Sequence, residues 1–173
     1  MVHIKKLKII MISIILAVIA LIPNNVLADG PSYDITNYDM DAYIQEDGTI
    51  HIDESITYYF SSSANGLTRD LKYFYKTNKD SMEPNSARYQ ATGIENITVA
   101  VTNPANITTN FTKASNAVKG DNGVYTVDAV NADRTDGYDI MVYSPISSNN
   151  FQTVHYSYDI TDAVVQYNDM SEI

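Results

Sequence analysis

The sequence contains no cysteine and no tryptophan. The missing cysteine excludes disulfides, a thiol nucleophile, cysteine-based zinc sites, iron–sulfur clusters and lipoprotein processing. Basic residues are scarce, 11 against 21 acidic ones in 173 residues, for a net charge of −10. They are also unevenly placed. Lys5, Lys6 and Lys8 are the only charged residues of positions 1–28, so the remaining 145 carry 8 basic against 21 acidic side chains, a net of −13. So acidic a chain lacks the basic face with which a nucleic-acid binder displaces counterions. Leucine is nearly absent beyond position 28, with only Leu67 and Leu71, and leucine-poor, alanine-poor sequence gives helices little to work with. Compact catalytic signatures are missing too: there is no Gly-x-Ser-x-Gly elbow and no His-Glu-x-x-His pair.

The first segment has the grammar of an export signal. Lys5, Lys6 and Lys8 form a positive head, and Ile9 to Ile22 is an apolar run interrupted only by Ser13. Pro23 ends it, and Val26-Leu27-Ala28 offers suitable small residues for cleavage between Ala28 and Asp29. The run is shorter than the roughly 20 apolar residues of a spanning helix. Residues 1–28 are therefore expected to be a signal helix that is removed, and 29–173 an exported domain that must fold without disulfides. Membrane association is expected only through regions absent from this chain or through an uncleaved signal. The compositional style suggests a bacterial surface protein.

What remains reads as strands. Thr, Val, Ile, Tyr and Phe supply 55 of the 145 residues, and all 14 tyrosines lie there; such side chains suit a pleated, half-buried surface. In 49–60, Ile50, Ile52, Ile56, Tyr58 and Phe60 share one face and Thr49, His51, Asp53, Ser55 and Thr57 the other. Glu54 is the one charged break on the apolar face. Met40, Ala42 and Ile44 alternate upstream, and Glu46-Asp47-Gly48 between the runs predicts a hairpin over 33–60. Further alternation over 94–102, 123–131, 140–143 and 151–161 predicts more strands, with turns at Asn65-Gly66, Asn122-Gly123 and Asp136-Gly137. Residues 76–90 read as a loop, and a short edge strand is expected near 107–112. About seven strands at this spacing predict an all-β fold, an antiparallel, Ig-like β-sandwich behind the signal helix.

Candidate chemistry is thin. His51 and His155 sit on polar strand faces and read as exposed strand histidines. A Ser-His-Asp set is not excluded by composition, since serine is plentiful. Asp39 and Asp41 share a face, whereas Asp53 and Glu54 point opposite ways. The run Asn131, Asp133, Asp136-Gly137 fails the EF-hand pattern, because Thr135 takes the third ligand place and Asp136 displaces the glycine. No cofactor is expected, although an acidic exported domain can take calcium weakly at irregular surface carboxylates. The aromatic clusters Tyr58-Tyr59-Phe60 and Tyr73-Phe74-Tyr75 read as core fillers alternating with surface rings rather than as sugar platforms. The sequons at Asn96, Asn106 and Asn110 carry meaning only in a eukaryotic secreted protein.

Two stretches carry a family resemblance. Residues 33–60 pair an Ile-x-x-Tyr-Asp strand (Ile35-Thr36-Asn37-Tyr38-Asp39) with a Glu46-Asp47-Gly48-Thr49 turn and the strand Ile52-Asp53-Glu54-Ser55-Ile56-Thr57-Tyr58-Tyr59-Phe60. Asn65-Gly66-Leu67-Thr68-Arg69-Asp70-Leu71 follows, with Lys72 where the pattern has proline, and Val154-His155-Tyr156-Ser157-Tyr158-Asp159-Ile160 closes the match, with Val164 and Tyr167 in register. This resembles the bacterial predicted membrane protein family known as domain of unknown function 2207. The resemblance implies an extracellular β domain behind a signal, followed in family members by transmembrane helices and a glycine-rich tail, and it implies no catalytic residues. The chain, ending at Ser171-Glu172-Ile173, is expected to be truncated or a fragment of such a protein.

Glu54, Arg69 and Asp70 stand out as structural or interaction residues: Arg69 and Asp70 form the leading pair, Glu54 is a second partner open to Arg69, and such an ion pair is expected to fix the loop after the second strand. The leading functional expectation is a non-catalytic exported module for interaction or sensing, with an unknown protein or envelope component as partner. The alternatives are an enzyme acting on glycans or cell-wall polymer through Asp53 or Glu54, and an inactive piece of a membrane protein.

Overall fold

The computed structural model describes residues 31–75, 91–131, 135–166 and 171–172. The expected signal with its Ala28–Asp29 junction, and the 76–90 stretch, lie outside them. The chain divides into Met1–Gly30 and Pro31–Ile173; the second unit is described below. Its strands are β1 (Tyr33–Ile44), β2 (Ile50–Phe60), β3 (Ala64–Tyr75), β4 (Gly93–Thr102), β5 (Thr108–Asn110), β6 (Thr112–Lys113), β7 (Val124–Asn131), β8 (Thr135–Ile146), β9 (Asn150–Thr161), β10 (Val165–Gln166) and β11 (Ser171–Glu172). Among the described residues the unit is all-β, and no helix there is long and apolar enough to cross a membrane.

The strands form a five-stranded sheet, β1-β2-β9-β4-β5, a four-stranded sheet, β3-β8-β7-β6, and a small β10-β11 pair. The hairpin expected over 33–60 is present: β1 and β2 pair antiparallel from Tyr33↔Phe60 to Ile44↔Ile50. Gly48 turns it at a φ of +85°, which its lack of Cβ permits. The ladders are antiparallel except one: β6 runs parallel to β7, where an antiparallel fold was expected. A single residue, Phe111, separates β5 from β6. Its amide bonds Val99 O in the first sheet, while the next amide, Thr112, bonds Gly123 O beside the second. The chain changes sheet without room to reverse.

Two expected turns are instead strand interior. Gly66 lies in β3 and Gly137 in β8, each at a register shift. A Cβ on Gly66 would run into the Val142 carbonyl, and one on Gly137 into the Leu71 carbonyl. These glycines let two backbones close up rather than reverse one of them. Their dipeptides carry turn chemistry, so local reading could not separate the two roles.

Period-two patterning places the core. Ile52, Ile56, Tyr58 and Phe60 of β2, Val99 and Val101 of β4, and Val154, Tyr156 and Tyr158 of β9 are buried. Leu67 and Leu71 of β3, Tyr125 of β7, and Ile140 and Val142 of β8 join the same cluster. Side chains also bond from sheet to sheet: Arg69 of β3 to Glu54 of β2, Gln152 of β9 to Ser144 of β8 at 2.7 Å, and Tyr125 of β7 to Ile97 O of β4 at 2.7 Å. β2, β9 and β4 thus each have a partner strand across the core. β1 lies outside this arrangement, and all twelve of its residues are exposed.

Candidate functional site

Glu54 breaks the apolar face of β2 and is buried there. Arg69 reaches it from the other sheet with two bonds, Nε to Oε1 at 2.7 Å and Nη2 to Oε2 at 2.9 Å. Tyr38 donates to the same carboxylate at 3.0 Å and Tyr158 at 3.5 Å. Two tyrosines and a forked guanidinium therefore satisfy a buried charge, the condition under which such a group is tolerated. Hydrogen bonding to Glu54 raises the guanidinium pKa further above its ordinary value, and burial, then Glu54, raises that of the Tyr38 phenol. The structure brings Glu54 and Arg69 together and leaves Asp70 out. Asp70 pairs across the ladder with Asp139, whose pKa is raised by burial and then by the Asp70 charge.

The opposite face of the first sheet is polar and holds both described histidines. His51 Nδ1 lies 2.6 Å from Asp159 Oδ1, its cross-strand neighbour. Asn96 caps the other carboxylate oxygen at 2.6 Å, from a β4 irregularity where its φ is +53°. His51 Nε2 lies 3.4 Å from both Asp53 Oδ1 and Ser157 Oγ. On the same face, Ser55 Oγ meets His155 Nδ1 at 2.7 Å and Thr102 Oγ1 meets Nε2 at 2.8 Å. The histidines are on the polar face as read, but they are half-buried and bonded rather than bare.

The order Asp159–His51–Ser157 superficially matches a nucleophile-activating relay. Its geometry is looser. Ser157 Oγ lies 3.4 Å from Nε2, longer than the reach of about 2.6–3.2 Å for proton abstraction, and Asp53 Oδ1 stands at the same distance. The Asp159 bond, with Asp53 behind it, raises the His51 pKa above the ordinary 6.5. Burial lowers the His155 pKa, and both of its nitrogens are engaged by hydroxyls. Asp53 and Glu54 face opposite sides of β2, one exposed and one buried, so no scissile bond can lie between them. Among the described residues no group of three or more His, Asp or Glu is placed to hold a metal ion. Asp133, from the calcium-like run, lies outside the described residues.

Sequence reasoning missed β1 as a site. Tyr33, Ile35, Tyr38, Met40 and Ile44, paired with inward-facing residues of β2, are 41 to 57 % exposed. Asp34, Asp39 and Asp41 occupy its other face. The available signal was the position of a long amphipathic strand at the start of the domain, where only one neighbour is secured by a hairpin.

The chain belongs to the family described as predicted membrane protein (DUF2207) N-terminal domain, whose model matches residues 34–173. Neither a curated protein nor a solved structure matches it.

Proposed function

We propose that this family domain folds as an Ig-like β-sandwich, is exported behind its N-terminal signal, and serves a membrane protein as a non-catalytic interaction module outside the cell. The observation that carries this reading is β1: a twelve-residue strand at the sheet edge with every residue exposed. Contiguous exposed apolar surface on a soluble domain marks a contact site. The polar groups that could do chemistry support the same reading, because they are bonded to one another in clamps. No nucleic-acid partner fits a surface of this charge.

Photo-crosslinking in intact cells tests the proposal. A photoreactive residue at Ile35 or Met40 is expected to give discrete adducts, and one at exposed Asp128 of β7 none. Equal labelling from both strands, or none from β1, would refute an interaction role for this edge. External protease should cleave the domain on intact cells; protection would refute export.

A further inference from the structure

We infer that β1 is the docking edge for an extended segment of another protein in which apolar residues alternate with lysine or arginine. This rests on the interaction-module reading and adds the binding mode and the partner's chemistry.

The two sheets end on four strands, β1, β5, β3 and β6. Proteins guard such edges by keeping them short, by bulging them, or by placing lysine or proline on them. β5 and β6 have three and two residues. β3 is long but carries Lys72 and two register shifts. β1 is twelve residues long, with no lysine, no proline and one irregularity, between Ile35 and Asn37. From Tyr38 to Ile44 it is regular, and its outer edge has no strand beside it among the described residues.

The two faces of that regular stretch specify an occupant. Tyr38, Met40, Ala42 and Ile44 continue the apolar face of β2, so an added strand would lay apolar side chains beside them. Asp39 and Asp41 stand on the other face, with Asp53 of β2 across from Asp41. His51 lies 2.6 Å from Asp159 and 3.4 Å from Asp53, so of these carboxylates Asp39 and Asp41 are the ones with no histidine beside them among the described residues. An added strand would bring every second side chain against these carboxylates. Opposite charges across a ladder stabilise it and like charges destabilise it. A second copy pairing edge to edge would set aspartates against aspartates, so the chain is matched to a basic strand and mismatched to itself. Adding a strand to an exposed edge takes affinity from the backbone and selectivity from alternate side chains.

The test uses the full chain, exported by a bacterial host, and the peptides acetyl-(Lys-Val)5-amide, acetyl-(Glu-Val)5-amide and decalysine. Calorimetry should show saturable binding of the Lys-Val peptide alone. The double variant Asp39→Asn/Asp41→Asn, with an unchanged far-UV spectrum, should weaken it about tenfold, the size of two exposed charge pairs. Hydrogen exchange should slow within 33–44 on binding. Equal binding of decalysine would show bare charge attraction and overturn the proposal. So would equal binding of the Glu-Val peptide, protection outside β1, or a β1-dependent homodimer in sedimentation. If β1 crosslinks in cells but the Lys-Val peptide does not bind, the strand chemistry fails and the interaction module stands. If the peptide binds β1 but no adduct forms in cells, the module reading fails and the edge chemistry stands.

Discussion

Removing Arg69 should expose what the buried carboxylate costs. The Glu54 side chain is 0 % exposed and the Arg69 side chain 30 %. Arg69→Ala deletes two of the four bonds to the carboxylate and leaves a charge inside the core with only the Tyr38 and Tyr158 hydroxyls. Breaking one side of a buried pair costs about 3–5 kcal/mol. The two remaining donors and the partial exposure of the guanidinium place this case near the low end, about 3 kcal/mol. That corresponds to a fall in Tm of roughly 10 °C for a domain of this length. Glu54→Gln keeps shape and an acceptor and strands only a half-wetted cation, so it should cost less, about 1–2 kcal/mol. The double variant Glu54→Met/Arg69→Met replaces the pair with apolar groups of similar length. It should be more stable than Arg69→Ala, because neither charge is left behind, and should stay about 1–2 kcal/mol below the parent, because the buried Tyr158 hydroxyl loses its acceptor. Urea unfolding followed by far-UV circular dichroism reads all three, with no tryptophan needed. An Arg69→Ala cost under about 1 kcal/mol would refute the reasoning. A double variant no more stable than Arg69→Ala would refute it equally. Stability unchanged while the β1 crosslinks vanish would instead make Arg69 an interaction residue.

Other outcomes follow from the same geometry. The buried Tyr156 hydroxyl has no partner among the described residues, so Tyr156→Phe should leave urea stability unchanged or raise it by about 1 kcal/mol; a loss above that would mean the hydroxyl is satisfied. Gly137→Ala and Gly66→Ala should each cost over about 2 kcal/mol, since the added methyl meets a carbonyl backbone that must move; tolerance of either would refute the close approach. Proton NMR should find the two histidines titrating on opposite sides of 6.5, His51 above and His155 below. The sign of their effect on stability differs accordingly. The His51 contribution is complete below 6.5 and lost as pH rises through its folded pKa, so His51→Gln should flatten the decline on the alkaline side. The His155 contribution is complete above 6.5 and lost as pH falls through its folded pKa, so His155→Gln should flatten the acid side.

Strand content was legible because its signal is local. The alternation of Ile52, Ile56, Tyr58 and Phe60 placed the core face of β2, and Glu46-Asp47-Gly48 placed its hairpin. Gly66 and Gly137 misled for the same local reason: what makes them glycine is a carbonyl on another strand, about 70 residues away in sequence. The histidine clamps were hidden similarly, His51 by its distance from Asp159 and His155 by its distance from Ser55. Glu54 is the instructive case between these extremes. A charge on an apolar face announces that a partner must exist, and Arg69 is the one lysine or arginine between 33 and 71, so Glu54 could be named beside Asp70 as a partner of Arg69, and the fold decided between them.

β1 could not be read this way, because its pattern is nearly that of β2. Met40, Ala42 and Ile44 alternate with Asp39, Asp41 and Tyr43 as a core strand's residues would. The difference lies in the other sheet, where Arg69, Ser144 and Tyr125 meet β2, β9 and β4. β1 therefore keeps the sequence of a half-buried strand in a place where burial has not been completed within the described residues. An apolar face in solvent gains nothing for the isolated domain. The Tyr38 hydroxyl contact to Glu54 and the packing of Tyr33 on Tyr58 and Phe60 account for two of the five exposed large apolar residues on that face. The remaining side chains are explained if an added strand and its own apolar face complete the burial from outside.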